Sequence, residues 1–323
     1  MSSNRILEVT NLKKYFPIKN GVLQRVVGNV KAVDDVSFTI NKGETYSLVG
    51  ESGCGKSTLG RTVIKLLDKT DGTVRFKGID IHSMSRKEMK ELRLKMQIIF
   101  QDPFSSLNPR KPVSELIGEA LIAHKVVNSK KEYYNRVGEV MEICGLAKYH
   151  MKRYPHEFSG GQRQRICIAR GLILNPEFIV ADEPVSALDV SIQSQIINLL
   201  QQFQEEYNLS YLFISHDLSV VRHISHRVGV LYLGSLVEEG KKEDLYEKPL
   251  HPYTQALISC VPLPDPDRKN NRIILKGDIP SASNPPSGCK FHTRCLYVKD
   301  ICKHEIPILR DLGNGHKVAC HLY

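Results

Sequence analysis

The stretch Gly50-Glu51-Ser52-Gly53-Cys54-Gly55-Lys56-Ser57-Thr58 has the spacing G-x-x-x-x-G-K-S of a phosphate-binding loop. Its flanks are those such a loop requires. Glu44–Val49 reads as a buried strand, and Leu59, Thr62, Val63, Leu66 and Leu67 recur behind it at helical spacing. Glycines let the backbone curl its N–H groups around an anion, and the following helix points the positive end of its dipole at the same place. Lys56 is then set to reach the β- and γ-phosphates, and the Ser57 hydroxyl to hold Mg²⁺. Gly50, Ser52, Gly53, Cys54, Gly55 and Thr58 complete the candidate nucleotide contacts. Cys54, beside a helix N-terminus and Lys56, is expected to have a depressed pKa and to react readily.

The chain has 323 residues, 41% of them hydrophobic and 25% charged, which supports a real core in a soluble protein. No apolar run is long enough to cross a bilayer, and Met1–Arg5 has no apolar stretch of signal-peptide type, so a cytosolic chain is expected. The net charge of +10 would suit an acidic partner. The basic residues are scattered, however, with no arginine-rich or aromatic-interleaved stripe, so a solvated basic surface is the better reading and no nucleic acid is expected. Eight cysteines in a reducing cytosol should not be disulfides.

Outward from the loop, Ile6–Leu12 alternates as a strand that ends at Tyr15-Phe16-Pro17. Residues 18–31 read as an inserted hairpin or loop, and Val36, Phe38 and Ile40 share one face of a second strand. Thr73–Gly78 is another alternating strand. A helix around Arg86–Lys95 leads to the buried-type run Met96–Phe100, with Gln101 at its end. Residues 102–158 read as a separate helical subdomain. Phe178–Ala181 and Tyr211–Ile214 are buried-type strands, separated by an amphipathic helix through Ile192, Ile196, Leu199, Leu200 and Phe203. Val228–Glu238 reads as a hairpin through Gly234. Strands alternating with helices imply an α/β fold with a mainly parallel sheet, and the early alternating strands imply an added antiparallel β subdomain. The nucleotide domain is placed at 1–248 and a linker at 249–271, because nine of the sixteen prolines lie from Pro249 onward. Residues 272–323 are too few and too loop-rich to bury much core, so they need a staple.

The strand Phe178–Ala181 delivers Asp182 and Glu183 to its C-terminal edge, where a phosphate loop also sits in a parallel sheet. Asp182 would bind Mg²⁺, directly or through water, and Glu183 would act as general base on an attacking water. Ser159-Gly160-Gly161-Gln162 sets a serine and paired glycines at a helix start, a second anion site. Two phosphate-binding ends in one cassette point to a dimer. Each nucleotide would lie between one chain's loop and the other chain's serine–glycine helix.

Together these stretches resemble an ATP-binding cassette (ABC) ATPase. The phosphate loop comes first, then Gln101, the signature Phe158–Gln162 and the acidic strand Phe178–Glu183. Ser186-Ala187-Leu188-Asp189 matches the family's D-loop, and His216 its switch histidine. The resemblance implies a phosphate-loop NTPase fold of ABC type: a RecA-like parallel-sheet core, an antiparallel β subdomain and an inserted α-helical subdomain. It further implies that Gln101 contacts Mg²⁺ and that His216 bonds the γ-phosphate. Asp189 would join the nucleotide contacts, and Tyr15 or Phe16 would stack on adenine.

Tyr15–Lys19, Gly50–Arg61, Ile98–Pro103, Ser105–Pro109 and His251–Thr254 are similar to the ATPases of dipeptide and oligopeptide importers, and to the second of the two ATPase subunits these carry. Nickel importers are close relatives. A soluble ABC protein acting on nucleic acid is the rival from another class. The resemblance implies two permease subunits, a second homologous ATPase, an external binding protein and a peripheral position on the cytoplasmic face of the membrane. In the tail, Cys289, Cys295, Cys302 and Cys320 crowd together in sequence and suit Zn²⁺ or an iron–sulfur cluster. Asn284–Cys289 and Phe291–Cys295 are similar to the C-terminal extension of peptide-importer ATPases, some of which carry a four-iron [4Fe-4S] cluster.

Overall fold

The structure is a computed structural model and describes residues 4–21, 24–261 and 272–323. The chain forms two compact units. One runs to His82 and resumes at Ile214; the other is Ser83–Phe213.

The first unit opens with β1 (Arg5–Asn20) and β2 (Arg25–Asn41), a long antiparallel ribbon. The hairpin expected at 18–31 is the far end of this ribbon, where Ile18 faces Gly28 and Asn20 faces Arg25. β1 therefore continues past Tyr15-Phe16-Pro17 instead of ending there. Proline is tolerated because β1 pairs with its other neighbour only as far as Lys13, so no second ladder needs the missing N–H. Val36, Phe38 and Ile40 are buried on one face, as their alternation predicts. Next come β3 (Thr45–Val49), buried along its length, then α1 (Lys56–Val63), β4 (Asp71–Phe76) and β5 (Ile79–Asp80). An antiparallel sheet has the order β2-β1-β4-β5.

The second unit contains α2 (Arg86–Leu92), started by a Ser85–Glu88 capping box, and β6 (Met96–Ile99). Residues 102–158 are helical as expected: α3 (Pro103–Ser106), α4 (Val113–Ala123), α5 (Lys130–Ile143) and two 3₁₀ turns. Then follow α6 (Gly160–Leu172), β7 (Phe178–Asp182), α7 (Val190–Tyr207) and β8 (Ser210–Ile214). β6 and β7 pair in parallel, and β8 lies on the other side of β7.

The first unit resumes with α8 (Leu218–Ile224), β9 (Arg227–Tyr232), β10 (Ser235–Lys241), α9 (Lys242–Glu247) and α10 (Pro252–Ser259). β9 runs parallel to β3 and antiparallel to β10, so the hairpin expected at Gly234 is present. Helix α10 occupies part of the stretch expected to be linker. Pro252 starts it at the first helical turn, where no N–H is missed, and the His251 ring accepts the Tyr253 N–H at 3.1 Å as a cap. The remaining linker residues, Pro262–Asn271, lie outside the described residues.

The tail ends in β11 (Arg310–Asp311) and β12 (Lys317–Val318). β12 adds antiparallel to β10, with Val318 opposite Glu238 and Lys317 opposite Glu239. Both glutamates are fully buried. Glu238 accepts the N–H groups of Leu250 and His251 and the His316 Nε2 at 2.7 Å. Glu239 is held by Arg227 and Lys317. Buried charges survive only when paired in this way, and removing one partner costs roughly 3–5 kcal/mol. The cassette itself is thus the staple that the small tail needs.

His251 is 1% exposed, and burial lowers its pKa to about 4 although Glu238 pulls the other way. The unfolded chain takes this proton near 6.5. Above that pH the folded state loses nothing. From 6.5 down to 4 the unfolded state gains a proton that the folded state refuses, so stability falls by about 1.4 kcal/mol per pH unit. His251→Asn keeps an acceptor for the Tyr253 N–H and should flatten this slope in thermal melts between pH 7 and 4. An unchanged slope would assign the acid sensitivity to other groups.

Candidate nucleotide site

The phosphate loop is clamped by backbone on two sides. Gly50 and Gly55 have φ of 152° and 105°. A Cβ at Gly55 would lie 2.0 Å from the Ala32 carbonyl oxygen, and one at Gly50 would lie 2.2 Å from that of Leu231. The Gly234 N–H donates to the Cys54 carbonyl at 2.9 Å, and the Asp34 N–H donates to the Gly234 carbonyl at 2.7 Å. The β9–β10 turn and β2 therefore hold the loop's shape. α1 begins with no side-chain cap and no acidic residue in its first turn, so no negative side chain opposes an anion at the positive end of its dipole. Lys56 is buried, and its Nζ donates to the Gly50 and Glu51 carbonyls at 2.8 and 3.0 Å. Ser57 and Thr58 follow in the first turn of α1, and Ser52 and Gly53 form the exposed tip.

Cys54 corrects an expectation. Its thiol is buried, and burial raises its pKa despite Lys56. Desolvation outweighs the helix N-terminus, so this cysteine is a packed thiol and not a reactive one.

Tyr15 and Phe16 separate clearly. The Tyr15 hydroxyl donates to Asp34, and burial together with that carboxylate raises its pKa. Phe16 is 37% exposed, with the Lys14 ammonium 4.8 Å above its ring. Burial works to raise the Asp34 pKa, but hydrogen bonds from Lys290 and Tyr15 overrule it and hold the carboxyl below its ordinary range. His216 is exposed just after β8. The neighbouring Ser215 N–H donates to Leu48 at 3.2 Å, which keeps the histidine's segment beside the strand that feeds the loop.

In the second unit Asp182 is fully buried at the end of β7. Glu183 follows in left-handed backbone, φ 47°, a strained conformation for a non-glycine residue and one typical of functional positions. Gln101 Nε2 donates to its carboxylate at 2.9 Å across 82 positions of sequence. Ser159 and Gln162 close a capping box: Ser159 Oγ accepts the Gln162 N–H at 3.3 Å, and Gln162 Oε1 accepts the Ser159 N–H at 3.0 Å. The serine expected to face an anion is thus engaged with its own helix. Asp189 caps α7 by accepting the Ile192 N–H at 3.0 Å, and this interaction lowers its pKa. A Cβ on Gly161 would lie 2.6 Å from the Ile192 side chain, so the signature helix and the Asp189 turn are packed together.

The tail cysteines bring a second correction. Burial raises the pKa of Cys289 to about 11, with the charges of Cys302, Cys320 and Cys295 adding to it, so the four thiols share one neighbourhood. Among the described residues, however, no three of His, Cys, Asp or Glu converge as a metal-holding group. The iron–sulfur cluster and its zinc alternative therefore have no support in this arrangement.

Several residues at the loop escaped the sequence reading. Glu51 Oε2 and Oε1 accept Arg294 Nη1 and Nη2 at 2.7 and 3.1 Å, and the Glu51 N–H donates to the Tyr253 hydroxyl at 2.8 Å. The stretches that hold them, Gly50–Thr58, His251–Thr254 and Phe291–Cys295, had stood out as a motif and as family resemblances, but without a role for Glu51, Tyr253 or Arg294.

The cradle alone would fit any phosphate-loop NTPase. The second unit adds the Ser159 helix and the Asp189 turn, packed together, whose sequences resemble the ABC signature and D-loop. Residues 33–186 match the ABC transporter family, and residues 237–302 match the oligopeptide/dipeptide transporter C-terminal region. The chain belongs to the oligopeptide-transport ATP-binding proteins of the ABC family and is an ATPase of that family. It is 58% identical over 321 residues to the oligopeptide transport ATP-binding protein AppF of Bacillus subtilis, covering 98% of this chain and 97% of that protein. It is 56% identical over 319 residues to OppF of the same organism, with the same coverage. Among solved structures, the ATP-binding cassette MJ0796 bound to ADP and Pi matches with TM-score 0.66 and 29% identity, over 73% of this chain and 98% of that one. CbiO1 of Clostridium perfringens matches with TM-score 0.65 and 26% identity, over 76% and 92%.

Proposed function

We propose that the chain is the ATP-hydrolysing subunit that powers import of dipeptides or oligopeptides through a membrane permease, by ATP-driven closure of two cassettes. The observation that carries this reading is the Lys56 cradle in a chain whose residues 237–302 match the transporter C-terminal region. Residues 1–248 serve as the cassette, with the helical subdomain at about 102–158, and 272–323 as the C-terminal domain.

The N–H groups of Gly53 to Thr58 and the Lys56 ammonium hold the phosphates. Tyr15 stacks on adenine: its ring is already fixed by Asp34, so little ordering remains to be done on binding. Ser57, Gln101 and Asp182 offer the oxygen donors that Mg²⁺ takes, and the ion would offset charge building on the phosphates. Glu183 accepts a proton from the water that attacks the γ-phosphorus, Gln101 orients that carboxylate, and His216 bonds the γ-phosphate. Ser159, Gly160, Gly161, Gln162 and Asp189 serve the nucleotide of the facing cassette. The facing cassette is a second homologous ATPase, and the complex adds two permeases and an external binding protein. Among the described residues no helix is long and apolar enough to cross a membrane, which suits a peripheral position on the cytoplasmic face.

Reconstitution with the permeases and the second ATPase in vesicles tests this. Uptake of labelled oligopeptide that requires ATP on the cassette side is the expected result. Uptake of Ni²⁺ without peptide would replace the substrate. Failure to co-purify with permeases, together with ATPase activity stimulated by DNA or RNA, would replace the function.

A further inference from the structure

The tail touches the nucleotide cradle at two points, and both contacts come from one short turn. Arg294, 8% exposed, places its guanidinium fork on both oxygens of Glu51, the second residue of the phosphate loop. That ion pair holds Arg294 firmly charged. Glu51 is thereby fixed on three sides: its side chain by Arg294, its N–H by Tyr253 and its carbonyl by Lys56. Four positions earlier, Lys290 Nζ donates to Asp34 at 2.9 Å, to the Leu233 carbonyl at 3.0 Å and to Ser235 Oγ at 2.7 Å. It therefore ties off the Gly234 turn, whose N–H holds Cys54, and the same aspartate that fixes Tyr15. Between the two, Phe291 is 1% exposed. Its ring centre lies 5.2 Å from that of Tyr232 and 5.4 Å from those of Tyr253 and His251. The turn is thus anchored in the core of the first unit and is rigid enough to position what it touches.

We propose that the turn Cys289–Cys295 is a brace on the nucleotide cradle, with Arg294 as a positioning residue for the phosphate loop; this rests on the ATP-binding role given above. Arg294 acts in two ways. Its planar fork fixes the loop's second residue in a bidentate geometry that lysine cannot reproduce. It also neutralises a carboxylate that would otherwise stand, uncompensated, in the loop that receives a polyanion. The C-terminal domain thereby sets the affinity of the cassette for ATP without touching the reacting atoms.

The test uses the purified full-length chain, a fluorescent ATP analogue and melting curves. Arg294→Gln should weaken binding at least tenfold and raise KM for ATP, while kcat at saturating ATP stays within about twofold. Arg294→Lys should recover only part of the loss. The double variant E51Q/R294Q, in which no charge is left unpaired, should recover most of it. A role confined to holding the tail down would instead lower the melting temperature of both variants together, with no recovery in the double; that pattern overturns the proposal. Equal affinity of wild type and Arg294→Gln also overturns it. A wild type that binds no ATP overturns the ATP reading itself, and the brace with it.

Discussion

Glu183→Gln is expected to slow ATP hydrolysis by roughly a hundred- to ten-thousandfold, the usual worth of a general base, while ATP binding survives. The substitution is nearly isosteric. An amide oxygen at this position still accepts the Gln101 Nε2 hydrogen bond, now 2.9 Å long, so the strained turn at φ 47° is kept. What the proposed role loses is the proton acceptor for the attacking water. In the proposed mechanism binding closes the cassette pair and hydrolysis reopens it, so the variant should accumulate closed dimers in the presence of ATP. Phosphate release and size-exclusion chromatography with and without ATP measure the two effects separately. Turnover near the wild-type rate would remove Glu183 from the mechanism.

Gly55→Ala is expected to abolish ATP binding and to lower the melting temperature by several degrees. Two costs add. The backbone at φ 105° is one that L-residues avoid, worth roughly 1–3 kcal/mol. The added methyl would also sit 2.0 Å from the Ala32 carbonyl oxygen. That atom belongs to β2, which is itself tied to the Gly234 turn through Asp34, so neither backbone can yield cheaply. Gly53 supplies the control. Its φ is 78° and nothing lies within 4 Å of a Cβ there, so Gly53→Ala bears only the conformational cost. If both alanines weaken binding of the fluorescent ATP analogue equally, the steric account of Gly55 is wrong.

The loop, its flanking strand and helix, and the strand ending in Asp182-Glu183 were all legible because their signals are local: spacing, alternation and turn residues within a dozen positions. The corrections follow the same logic. Cys54 looked activated by its sequence neighbours, but the protein packed around it decides its pKa. Pro252 looked like a breaker because composition does not say whether a proline sits inside a helix or at its first turn. Pro17 looked like a strand end because nothing local reveals that β1 has a single neighbour there. Four crowded cysteines suggested a staple of metal, whereas the tail is held by Glu238, Glu239 and the edge of β10. Arg294 and Glu51 stand 243 positions apart, and no periodicity or motif joins such residues.

The pairing of β12 with β10 also sets a schedule. Glu239 and its partner Lys317 are 78 positions apart. At roughly 5–20 residues per second of synthesis, β10 leaves the ribosome about four to sixteen seconds before the strand that covers it. For that interval its outer row of peptide groups is open, and the two interior glutamates lack His316 and Lys317. Chains cut or stalled short of residue 317 never leave that state. An uncovered strand edge is a template for sticking to other chains, so such fragments are the species that a cell must clear.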